Sequence, residues 1–110
     1  MRIERELMRG AGPVAVLRLL EPGEKYGYEL VAALDRQSDG VLAMGQSTLY
    51  PLLYNLEAKG LIAARLETAE SGRERKYYRL TDRGRAKLAE DVKQWTALTA
   101  AMGKLGIVGG

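Results

Sequence analysis

The sequence predicts a mostly α (α+β) fold in which three short helices, a two-stranded hairpin and one long helix follow one another. Three observations carry this. Leu49, Leu52, Leu53 and Leu56 stand at i, i+3, i+4 and i+7, one face of a helix. Two stretches, 61–66 and 75–80, alternate residue by residue as half-buried strands do. Leu88, Val92, Trp95, Leu98 and Met102 then recur every three or four residues along a final helix.

Taken in order, Gly10, Gly12 and Pro13 interrupt the start, and Pro13 fits the first turn of a helix whose apolar positions are Val14, Leu17 and Leu20. EPGEK (21–25) is a turn. Tyr26 to Gln37 reads as a second helix with Leu30, Val31 and Leu34 on its inner stripe, ended by SDG (38–40). Val41 to Met44 is an apolar connector or one short strand. The third helix occupies 45–60, with Gly60 as its stop and Lys59 favourably placed for the helix dipole. Pro51 lies at the edge of its first turn if Ser47 is the cap, or kinks it if the helix begins near Gly45. The strands at 61–66 and 75–80 are joined by the long loop ETAESGRE. Thr81 caps the last helix, which runs to about Gly103 and leaves GKLGIVGG (103–110) to fray. Three compact helices followed by a hairpin form a winged helix-turn-helix over residues 1–80, and residues 81–110 add a C-terminal dimerisation helix and tail.

Composition narrows the chemistry. The 110 residues contain neither Cys nor His, which removes disulfides, thiol nucleophiles, zinc sites and the commonest general base. No enzyme activity, cofactor or metal is expected. No apolar run approaches the roughly 20 residues that span a bilayer, and the charged start MRIERELMRG lacks a signal-peptide core, so a cytoplasmic protein without a membrane partner is expected. The formal charge is +3, yet residues 65–87 alone hold eight Lys and Arg against four Asp and Glu. Concentrated cations point to a polyanion.

Four groups of residues are candidates for contact. On the 45–60 helix, Gln46, Ser47, Thr48, Tyr50, Tyr54 and Asn55 lie away from the leucines and offer amides and hydroxyls to bases or phosphates. At the hairpin tip, Gly72 permits close approach, and Arg73, Arg75 and Lys76 reach for phosphate; cations on an edge strand also guard against aggregation. Lys25 and Tyr26, at a helix start, could bond a phosphate, whereas Tyr28 is either a contact or a packing residue. The seam Leu88, Val92, Trp95, Leu98 and Met102 suits a homodimer, because paired recognition helices read two half-sites about 34–36 Å apart. Trp95 either anchors that seam or lines an apolar pocket for a flat aromatic ligand.

YGYEL, STLYPLLYNLEAKGLI and GRERKYYRLTDRGR, in this order and spacing, resemble the PadR family of bacterial transcriptional regulators over roughly residues 5–95, and the single-helix tail resembles its compact, LmrR-like subfamily. The resemblance implies a homodimeric winged-helix protein, usually a repressor, that binds a palindromic double-stranded DNA operator and releases it when an effector binds. It places Tyr26, Tyr28, Ser47, Thr48, Tyr50, Arg73, Arg75 and Lys76 on the DNA. It also places Trp95 where that subfamily lines a drug-binding pore, so a small aromatic effector is implied.

Overall fold

A computed structural model describes residues 1–109. Its elements run α1 (Arg5–Leu20), β1 (Lys25–Tyr26), α2 (Gly27–Gln37), α3 (Gln46–Ala58), β2 (Ile62–Thr68), β3 (Glu74–Leu80) and α4 (Asp82–Lys104). The three helices, the hairpin and the long last helix are those anticipated, in an α+β winged helix. The sheet has three strands, however, in the antiparallel order β1-β3-β2. The extra strand is Lys25–Tyr26, which pairs with Tyr78 and Tyr77 of β3 and so precedes α2 instead of opening it. Two residues are too few to show an alternating pattern. This strand exists only because β3 offers it an edge.

One core lies between the sheet and the helices. Val16, Leu17 and Leu20 of α1 meet Leu30 and Leu34 of α2 and Leu49, Leu53 and Leu56 of α3, all nearly sealed from solvent. Ile62, Tyr78 and Leu80 close it from the sheet. Each such leucine stabilises the fold by roughly 1.5–3 kcal/mol. With Phe absent from the chain, Tyr78 is the aromatic residue of this core.

Both prolines in question stand inside helices. Helix α1 begins at Arg5, so Pro13 is in mid-helix and not in the first turn. Tertiary contact overrides the local signal here. A Cβ on Gly12 would meet Leu52 at 3.4 Å and Met44 at 3.6 Å, ordinary contact distances, so α1 runs directly beside α3 at this point. Helix α3 has Gly45 as its N-cap, which puts Pro51 within the helix and deprives the Ser47 carbonyl of its usual partner on an exposed side.

Val41 to Met44 forms no strand. Helix α2 closes with left-handed Asp39 and Gly40, whose N–H donates to the Asp35 carbonyl at 2.8 Å, and the chain turns directly toward α3. The same closure ends α3, where Gly60 has φ +75° and Leu61 N–H donates to the Leu56 carbonyl at 3.0 Å.

Thr81 caps α4 as anticipated, its Oγ1 accepting from Gly84 N–H at 2.9 Å. The same hydroxyl lies 2.7 Å from the Gly60 carbonyl and 2.9 Å from that of Leu61, so it can donate to either, which fastens the α3–β2 turn to the start of α4. Leu88 is a correction to the predicted seam: only 2% exposed, it belongs to the core, leaving Val92, Trp95 and Leu98 as the exposed apolar positions and Met102 half-buried. The far end is also better ordered than the glycines suggest. Gly106 turns left-handed, and Ile107 N–H donates to the Met102 carbonyl at 2.9 Å, so 103–107 form a closed cap. Of the segment expected to fray, Gly110 lies outside the described residues. Among the described residues, no helix is long and apolar enough to cross a membrane.

Candidate nucleic-acid interface

The wing is stiffened by its own aromatics and ions. Across the register Arg65↔Tyr77↔Tyr26, the two tyrosine rings meet edge to face, with centroids 5.5 Å apart. The Arg65 guanidinium lies 4.8 Å from the Tyr77 ring centre, and Arg75 lies 4.8 Å from that of Tyr26. Arg65 is also bound to Glu24, with its Nε donating at 3.0 Å, and sits 3.4 Å from Glu67. The Arg65 hydrogen bond and charge hold the Glu24 carboxyl below its usual range, and the same partners raise Arg65. This depressed carboxylate contributes its share of stability at neutral pH and loses it as pH falls through the lowered pKa.

The opposite face of β3 meets α3. Lys76 lies 3.4 Å from Glu57 and 5.6 Å from the Tyr78 ring centre, so its charge is partly committed within the molecule. Burial, followed by the nearby Glu57 charge, raises the Tyr78 phenol above its ordinary range. Among the described residues, neither Arg73 nor Arg75 belongs to an ion pair. The hairpin end is tighter than the anticipated loop: Glu67↔Arg75 and Thr68↔Glu74 remain paired, and the turn closes with Ala69 N–H donating to the Arg73 carbonyl at 2.8 Å. Gly72, at φ +84°, supplies the left-handed position that this turn needs.

Helix α3 presents its first turn unshielded. Gly45 supplies no side-chain acceptor, so the leading N–H groups at Gln46 and Ser47 stay open to an outside anion. Tyr50 settles over the start of α2. A Cβ on Gly27 would lie 2.7 Å from the Tyr50 hydroxyl and 2.8 Å from its ring, so only glycine leaves room for this ring. Sequence reading passed over Gly27; its trace was a lone glycine between two tyrosines at a helix start.

These pieces converge. A cleft of about 580 Å³ is lined by Tyr26, Gly27 and Tyr28, by Gln46 and Tyr50 of α3, and by Arg73, Glu74, Arg75 and Lys76 of the wing. Residues from three separate stretches thus share one concave face. Tyr28, left open between packing and contact, is 62% exposed. Ser47 and Tyr54 are exposed on α3, and Thr48 and Asn55 line a second groove on the flank toward α1. Lys25 stands opposite Tyr78 in the register, half-buried and outside the cleft.

Residues 16–90 match the family model described as the PadR-like family of transcriptional regulators. The chain belongs to this family. Over 87 residues it is 38% identical to the transcriptional regulator Rv3488 of Mycobacterium tuberculosis, covering 79% of this chain and 78% of that protein. Among solved structures, a PadR family transcriptional regulator from Eggerthella lenta superposes with a TM-score of 0.81 at 40% identity, covering 91% of this chain and 85% of that one. Bacillus subtilis PadR, solved in complex with operator DNA, superposes with a TM-score of 0.68 at 30% identity, over 73% of this chain but only 46% of the other. In this PadR-like regulator the matched span ends at residue 90, before the exposed positions Val92, Trp95 and Leu98 of α4.

Proposed function

We propose that this regulator binds double-stranded DNA sequence-specifically as a homodimeric repressor on a palindromic operator, in the cytoplasm and without catalysis. The observation that carries the reading is the single cleft joining Tyr26 and Tyr28, Gln46 and Tyr50, and Arg73 and Arg75. Helix α3 enters the major groove with Ser47, Thr48 and Tyr54 beside Gln46. The wing lies along the flanking backbone with Arg73 and Arg75, while Lys76 holds the wing to α3 and contributes residual charge. The operator complex of the Bacillus subtilis relative supports duplex DNA as the partner. For the dimer, the support is a stripe of exposed Val92, Trp95 and Leu98 on a helix whose inner side is already satisfied.

Selection of bound duplexes from a random pool tests this directly. Two inverted half-sites about one helical turn apart are expected, and retention of no sequence over background overturns the reading. Gly27→Ala gives a finer check. Because Tyr50 blocks the new methyl only with the end of its side chain, the ring swings aside, the denaturation midpoint moves by less than about 1 kcal/mol equivalent, and operator affinity falls roughly tenfold. Unchanged affinity would remove Tyr50 from the interface.

A second reading adds an effector. Trp95, 40% exposed, lines an apolar hollow of about 480 Å³ with Val14, Val92, Thr96, Thr99 and Ala100, which suits a flat aromatic molecule. Trp95 is the only tryptophan, so its fluorescence reports on this hollow. Quenching by planar dyes at saturable concentration supports the effector site, and no quenching leaves Trp95 as a packing residue.

A further inference from the structure

We propose that the duplex-binding surface extends to the flank of α3 opposite the wing, where Arg5 and Arg9 of α1 contact the phosphate backbone; this rests on the duplex-binding reading above. The inward stripe of α1 passes through Gly12, Val16 and Leu20, all buried. Continued toward the N-terminus at the same spacing, the stripe reaches Met8, half-buried against the core, and Arg9 and Arg5, both exposed, flank it in the groove beside α3. The packed stripe is therefore bordered by two exposed cations where the core ends. That place lies beside α3, as the closeness of Gly12 to Leu52 and Met44 requires.

A groove of about 480 Å³ runs between the two helices. Arg5, Arg9 and Lys59 line it with Thr48, Pro51 and Asn55 of α3, and no acidic residue does. None of the ion pairs among the described residues involves Arg5, Arg9 or Lys59. The apolar groove wall gives arginine stems a surface to lie on while the guanidinium heads stay hydrated or meet an anion. The opposite side of α1 is different: Ile3, Leu7 and Ala11 line an apolar hollow with Trp95, so the arginines stand apart from the apolar stripe.

Geometry then selects the anion. A helix seated in a major groove about 12 Å wide has a phosphate strand on each side. The wing flank of α3, marked by Gln46, Tyr50 and Glu57, faces Arg73 and Arg75. The other flank, marked by Thr48 and Asn55, faces Arg5 and Arg9. Cations are thereby set along both borders of one recognition helix.

The test uses the full chain carrying Arg5→Ala and Arg9→Ala together. Binding is measured to the duplex the wild type selects and to a random-sequence duplex of equal length, between about 50 and 200 mM salt. The slope of log Kd against log salt is expected to flatten by roughly two to four per dimer, with affinity falling by the same factor on both duplexes. Arg5→Lys with Arg9→Lys should keep most of the slope. An unchanged slope in the alanine variant, when Arg73→Ala with Arg75→Ala does flatten it, overturns this proposal and leaves the wing reading standing. A wild type that binds neither duplex overturns both. A variant that sediments as a monomer where the wild type is a dimer assigns the arginines to a subunit contact, which also overturns the proposal.

Discussion

Gly84→Ala will destabilise this protein by about 3 kcal/mol or more, lowering its thermal midpoint by roughly 12 °C. The direction is opposite to the ordinary rule, by which alanine in a helix is worth up to about 1 kcal/mol over glycine. At Gly84 the added Cβ would stand 2.0 Å from the Leu61 carbonyl oxygen and 2.9 Å from Leu80. The Leu61 carbonyl cannot retreat cheaply. It accepts from Thr81 N–H at 3.1 Å and lies within 2.9 Å of the Thr81 hydroxyl, so moving it loosens the knot that joins the α3–β2 turn, the end of β3 and the cap of α4. Steric repulsion against backbone therefore outweighs propensity. Gly10→Ala is the internal control, because nothing lies within 4 Å of its would-be Cβ. It should be neutral or gain a few tenths of a kcal/mol up to about 1 kcal/mol. Calorimetry or chemical denaturation of the two variants decides the matter. A Gly84→Ala protein as stable as the wild type would mean that α4 does not approach the α3–β2 turn as closely as described.

Arg73→Ala combined with Arg75→Ala will weaken operator binding on the order of a hundredfold near 0.1 M salt and flatten the salt slope by up to about 3.6 per dimer, at about −0.9 per phosphate. Among the described residues these two guanidiniums form no ion pair, unlike Arg65 with Glu24 and Lys76 with Glu57. The loss should fall equally on operator and random duplex, since phosphate carries no sequence information. Changes at Ser47 or Thr48 should instead reorder preference among duplexes and leave the slope nearly intact. Arg65→Ala should do neither as strongly, because its charge is already offset within the wing; its effect should be on wing stability. Electrophoretic mobility shifts or fluorescence anisotropy across a salt series separate these outcomes. If the Arg73/Arg75 variant keeps both its affinity and its slope, the wing does not touch the backbone.

The difference between these two predictions shows where information resides in the chain. The leucine spacing of α3, the threonine cap and glycine stop, and the paired alternation of the wing are local patterns, each written within a dozen residues. They suffice to order the elements, because secondary structure at this level follows from side-chain periodicity and turn chemistry. The cationic wing and the hydroxyl-bearing side of α3 were legible for the same reason: composition and helical phase are properties of the sequence itself.

What needed the folded molecule is every relation between distant segments. Strand β1 has no pattern of its own and appears only when β3 offers hydrogen bonds. Pro13 reads as a helix start, and Pro51 as either the edge of a first turn or an interior position, yet both sit inside helices, because burial of the stripes around them outweighs one missing backbone bond each. Leu88 fitted a surface seam by spacing, but the crossing of α4 over α1 turns it inward. Gly84 carries no local signature that distinguishes it from replaceable glycines; a backbone carbonyl from elsewhere in the chain makes it necessary. The sequence alone determined which segments are helix or strand and where charge accumulates, since those depend on neighbours along the chain. The tertiary structure decided which of those segments share a face, since that depends on close packing between residues dozens of positions apart.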